Sequence, residues 1–282
     1  MIALRPPGSF VRTALALAVA ALLPSCRPGP LPALRLATTT SVDNSGLLDH
    51  LRGACERETG VSLEPFVVGS GRAARMAISG EVSVAITHDV EAEEVLLRSG
   101  KVALQQTFMT NRFLLVGPAG DPAGVARAHD AVEAFRAIGR NAASFASRDD
   151  QSGTHSRERQ LFREAGFDPD SVPGRIALGQ SMGALLRSAS EMKAYTLTDE
   201  ATWAALRQRL DLVEFLIEDR RLQNRYVLTV MEEEGGEPRR EATRFARWLL
   251  SDEGAEAIRA FRIGGRPVFV PLKGASPRDV VP

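Results

Sequence analysis

The feature that most constrains the fold is a repeated junction: a short apolar run, a cluster of hydroxyl side chains and glycine, then a helical pattern. It occurs at Thr38-Thr39-Thr40-Ser41, leading through Asp43-Asn44 to Ser45-Gly46. It recurs at Gly69-Ser70-Gly71-Arg72, and again at Ser147-Arg148-Asp149-Asp150-Gln151-Ser152-Gly153-Thr154. Strand, polar turn and helix in alternation predict an open α/β sheet with helices packed on it.

The rest of the chain extends the pattern. Strands are expected at 34–37, 61–68 and 82–86, and helices at 45–59, 72–79 and 90–99, with Gly60 stopping the first helix. Strand material at 107–109 and 112–116 is interrupted by the polar pair Thr110-Asn111. A second α/β region follows the turn Gly117-Pro118-Ala119-Gly120-Asp121-Pro122. Its helices are expected at 128–138, 154–165, 181–190 and 200–210, and its strands at 143–146 and 194–197. Strands at 212–216 and 226–230 return towards the first region, and helices at 239–250 and 252–261 follow. This organisation suits two lobes, residues 34–116 with 217–282 and residues 117–216. Ligands of such sheets sit beyond the carboxyl ends of strands, often between domains.

The N-terminus has the pattern of an export signal. Arg5 and Arg12 accompany an apolar run from Thr13 to Leu23, and no acidic residue precedes Asp43. The run is short for a bilayer span and ends in Leu23-Pro24-Ser25-Cys26, which resembles a lipoprotein processing site except for the unusual Pro24. Residues 1–26 are therefore expected to be a signal peptide and 27–33 a Pro/Gly tether; Cys26 is the candidate lipidated residue, with ordinary cleavage near the same place or an uncleaved anchor as the alternatives. The 35 basic and 35 acidic residues balance, which points away from a nucleic-acid partner. Cys55 lies in an apolar helical pattern and is expected to pack in the core.

The three junctions share one chemical logic. A helix start carries unpaired N–H groups and partial positive charge, and glycine lets backbone approach a ligand closely. Hydroxyls add donors without net charge, and an arginine adds a charged fork. Three such junctions around one cleft could surround a tetrahedral dianion. Each alone is equally compatible with an ordinary helix cap.

The residues also carry a resemblance. Thr38-Thr39-Thr40-Ser41 with Asp43-Asn44-Ser45-Gly46-Leu47-Leu48, then Val68-Gly69-Ser70-Gly71, resembles the bacterial tungstate-binding proteins of ABC transporters. So do Ser147-Arg148-Asp149-Asp150-Gln151-Ser152-Gly153-Thr154-His155 and Ala194-Tyr195-Thr196-Leu197-Thr198-Asp199. The resemblance implies a type II periplasmic binding fold, with two α/β lobes, a hinge and an anion in the interlobe cleft. It implies capture of tungstate or molybdate without catalysis, delivery to a membrane permease, no cofactor and no metal site. By position, Thr40, Ser41, Ser70, Gly71, Arg148, Ser152, Gly153 and Thr154 would contact the anion. Thr39, Tyr195, Thr196 and Thr198 would lie near the cleft or hinge. The protein would act as a monomer outside the cytoplasm, attached to the membrane through Cys26.

Three positions depart from the family pattern. Asp149 stands where glycine is usual, Glu200 where arginine is usual, and Arg112 where an acid is usual. Asp149 beside an anion would repel it unless it turns away or pairs with Arg148. Asp149 or Asp150 could instead favour phosphate: tungstate only accepts hydrogen bonds near neutral pH, whereas hydrogen phosphate also needs an acceptor. An anion sensor is the remaining binding alternative.

Enzyme readings are weaker. Gly179-Gln180-Ser181-Met182-Gly183 matches a nucleophile elbow, yet His50, His88, His129 and His155 all precede Ser181, so the hydrolase order cannot be met. Ser181 is expected instead to cap a helix. The histidines show no metal-ligand spacing. His155 is expected beside a helix start, and His88-Asp89 either turns the chain or approaches the cleft.

Overall fold

The computed structural model describes residues 1, 33–150, 152–233 and 239–272. The expected export signal beyond residue 1, Cys26 and the expected tether up to residue 32 lie outside them. The first half contains β1 (Leu34–Thr38), α1 (Thr40–Asn44), α2 (Leu47–Thr59), β2 (Leu63–Val67), α3 (Ser70–Ile78), β3 (Val84–Thr87), α4 (Val90–Arg98) and β4 (Val102–Gly117). Then come α5 (Ala131–Arg140), β5 (Phe145–Ser147), α6 (Gly153–Glu164), β6 (Arg175–Ala177), α7 (Met182–Met192), β7 (Thr196–Asp199), α8 (Glu200–Leu206) and β8 (Val213–Phe215). The chain continues through β9 (Gln223–Met231), α9 (Arg240–Leu249), α10 (Asp252–Ala260) and β10 (Val270–Pro271).

Two lobes share one long strand. Parallel β2-β1-β3 is extended by antiparallel β9, which pairs with β4. The far end of β4 pairs antiparallel with β7 and β8 instead. Leu36 and Ile86 of the first sheet pack with Leu48 and Leu51 of α2 and Phe245 of α9. In the other lobe Phe135, Phe145 and Phe162 pack together at ring separations of 4.7–5.5 Å. Full burial of each such side chain contributes about 1.5–3 kcal/mol.

Three expectations are corrected. Thr110-Asn111 does not interrupt β4. Both residues are buried, β9 pairs straight through them, and Asn111 Oδ1 accepts from Asn224 Nδ2 at 2.8 Å. Backbone pairing with β9 and the Asn111 Oδ1 bond let the polar pair stay within the strand, although Asn111 Nδ2 is buried without a hydrogen-bond partner. The helix expected over 45–59 begins at Leu47, because Gly46, at φ +83°, divides it from α1. That left-handed backbone suits glycine. Strands β6 and β10 were not anticipated; each has only three residues or fewer, too short to show a period.

Candidate functional site

The first lobe's contribution starts where β1 ends. Ser41, in the first turn of α1, is buried, with its Oγ 3.0 Å from Oγ1 of Thr39. Tyr226 of β9 donates its hydroxyl to Ser41 Oγ at 3.3 Å. Ser70, the first residue of α3, is buried and accepts from the backbone N–H of His88 at 3.4 Å. His88 follows β3 directly. One ring nitrogen, Nδ1, lies 3.0 Å from Oδ1 of Asn224, and the other, Nε2, lies 3.5 Å from Ser41 Oγ. Asn224 in turn donates to Asn111 and to Tyr226.

The second lobe brings the loop between β5 and α6. Ser152 caps α6 by accepting from His155 N–H at 3.3 Å. Gly153, the first residue of α6, lies against His88: a Cβ there would come within 2.6 Å of the ring and 2.8 Å of the His88 carbonyl oxygen. Only glycine permits this approach between lobes. Arg148 is buried, and its Nε donates to Asp150 Oδ2 at 3.1 Å, with a terminal nitrogen also on that oxygen. Asp150 Oδ1 accepts from Ser152 N–H at 3.1 Å. Beneath the loop, Glu158 of α6 accepts from Ser147 Oγ at 2.8 Å and from Arg148 N–H. Burial pushes its carboxyl up to about 8, against those donors and the Arg148 charge.

Ser41, Ser70 and Gly153, one from each sequence junction, therefore meet at His88. Ser152 and Thr154 flank Gly153 and are buried. Thr40 opens α1 and is partly exposed, as is Gly71 in the first turn of α3. Tyr195 stands just before β7. Its hydroxyl donates to Asp121 Oδ1 at 2.7 Å and accepts from Ala123 N–H, and its ring covers Gly117. Thr196 donates to the Ala146 carbonyl at 2.8 Å, and Thr198 is buried in β7. These residues fasten β7 and the turn after β4.

Asp149 turns away from Arg148. Its carboxylate takes Arg175 at 2.6 Å, with His155 Nε2 at 3.6 Å, and its backbone has φ +46°. That positive φ is a backbone conformation that glycine adopts without strain. The other two departures answer each other. Phe113 pairs with Asp199, which brings Arg112 of β4 near Glu200 at the start of α8; burial raises the Glu200 carboxyl, and the Arg112 charge opposes that rise. Ser181 precedes α7 as expected, but its side chain makes no capping hydrogen bond.

Sequence reasoning left His88 open between a turn and the cleft, and missed Asn111, Asn224 and Tyr226. The available signal was a His-Asp pair directly after the buried run Val84-Ala85-Ile86-Thr87. Among the described residues no cluster of His, Cys, Asp and Glu could hold a metal ion, and no helix is long and apolar enough to cross a membrane.

Residues 28–253 match the PBP superfamily domain. The chain is 35% identical over 242 residues to the tungstate-binding protein TupA of Peptoclostridium acidaminophilum, covering 84% of each chain. Among solved structures, the tungstate-binding protein TupA from Desulfovibrio alaskensis G20 superposes with a TM-score of 0.75 at 31% identity, over 86% of this chain and 99% of that one. The tungstate ABC transporter structure from Geobacter sulfurreducens gives 0.73 at 33% identity, over 82% and 99%. This chain belongs to the PBP superfamily and, within it, to the family of the tungstate-binding proteins.

Proposed function

We propose that this protein captures tungstate, with molybdate as the second candidate, between its lobes and hands it to an ABC transporter permease without catalysing a reaction. The observation that carries this reading is the meeting of three donor-rich junctions, through Ser41, Ser70 and Gly153, beside the buried Arg148. The lobes in this reading are residues 34–116 with 217–282 and residues 117–216, and closure is a population shift driven by the anion's greater affinity for the closed state. The protein works as a monomer at the outer face of the membrane, exported by residues 1–26 and anchored at Cys26.

A phosphate-binding reading has one observation in its favour. Asp150 places a carboxylate on the Arg148 guanidinium, where a proton-bearing anion would find an acceptor. Calorimetric titration of the protein lacking residues 1–26 with tungstate, molybdate, sulfate and phosphate separates the readings. Tungstate binding well above sulfate and phosphate is expected. Preference for phosphate would replace tungstate as the cargo, and silence towards all four anions would leave only the fold.

A further inference from the structure

His88 is the residue on which the site converges. Its backbone N–H reaches Ser70, its Nε2 faces Ser41, and its ring edge rests under Gly153. Nδ1 is tied to Asn224, which Asn111 and Tyr226 hold in place. A neutral imidazole has one N–H donor; protonation gives it two and a positive charge.

The charges around the ring make that change sensitive to an anion. Asp89 beside it favours imidazolium, while Arg148 and Arg157 of the other lobe oppose it, and enclosure opposes it most, holding the pKa near 4. Tyr226, packed on the ring, stays a neutral phenol because burial raises its pKa. Arg148 is already paired with Asp150. With Arg148 so paired, part of a divalent anion's field falls on the neutral imidazole, beside the remaining charge of Arg157. An opposite charge within about 4–6 Å moves a neighbouring group by roughly 1–3 pH units towards its charged form.

We propose that His88 is an anion-contacting residue of the cleft and takes up a proton from solvent as a divalent oxyanion binds, returning it to solvent on release. This rests on the oxyanion reading above and adds the protonation state of the bound site. The complex then holds more protons than the free protein, so affinity rises as pH falls, by at most about tenfold per pH unit.

The test is titration of the protein with tungstate at about pH 6 and about pH 8, each in two buffers of different ionisation heat. Expected are net proton uptake, greater at the lower pH, and tighter binding there. His88→Gln loses both the buffer dependence and the pH slope. Should that variant fail to fold, the imidazole nitrogen shifts of His88 in the unaltered protein decide, changing from neutral to protonated on adding tungstate. Binding with buffer-independent heat at both pH values, or a His88 ring that stays neutral in the complex, overturns the proposal while leaving the oxyanion reading intact. Absence of any tungstate binding overturns both.

Discussion

Gly153 sits on the ring of His88 so closely that a single added carbon would come within 2.6 Å of it. The carbonyl oxygen of His88, at 2.8 Å, cannot swing aside as a side chain could. Gly153→Ala is therefore expected to resist lobe closure without opening either core. Anion affinity should fall by an order of magnitude or more, with the midpoint of thermal unfolding nearly unchanged. Calorimetry and a melting curve on one preparation check this. Unaltered affinity would mean that this contact is not part of the bound state.

Arg148 offers the site's buried charged fork. Hydrogen bonds to charged groups contribute roughly 1.5–3 kcal/mol each. Arg148→Ala should lose at least about a hundredfold in tungstate affinity, and Arg148→Lys should recover only part, since a lysine cannot reproduce the planar fork. Titration of both variants measures this, and wild-type affinity in Arg148→Ala would remove the residue from the site.

Glu158 links the site to pH through stability. Its folded carboxyl is pushed up to about 8, above the ordinary 4.5. Between these values the folded protein keeps a proton that the unfolded chain releases. The stabilisation is complete below about pH 4.5 and is lost as pH rises through about 8. Glu93, raised to about 7 by burial, acts in the same direction. Glu158→Gln should flatten, though not abolish, the decline in melting temperature between pH 5 and 9. An unchanged slope would show that Glu158 is not the group responsible.

The Tyr195 hydroxyl joins Asp121 and Ala123 within one lobe. Tyr195→Phe removes the donor to a carboxylate and the acceptor for a backbone N–H. The expected cost is about 1–3 kcal/mol of folding stability, read by denaturant unfolding, with tungstate affinity within a few-fold of the original. A large loss of affinity with unchanged stability would instead place Tyr195 in anion binding.

Much of the α/β alternation was legible locally. Helix caps such as Asp89, Asp130 and Ser152 accept from N–H groups three residues onward, so their signals lie within one turn. The three hydroxyl-and-glycine junctions were visible for the same reason. Thr110-Asn111 was misread because its partners Arg225 and Asn224 lie more than a hundred residues away.

What the sequence determined by itself was the class of the fold and the donor-rich character of the junctions, because both depend on neighbours within a few residues. Tertiary structure decided which residues face one another. It turned Asp149 to Arg175 and Asp150 to Arg148, set Arg112 against Glu200, and brought His88 under Gly153. Each of these choices depends on a hydrogen bond, a charge or a steric fit assembled across the loop and the lobes. Near-identical local sequence, Asp149-Asp150, thus gives two carboxylates with different partners, a distinction that only packing can make.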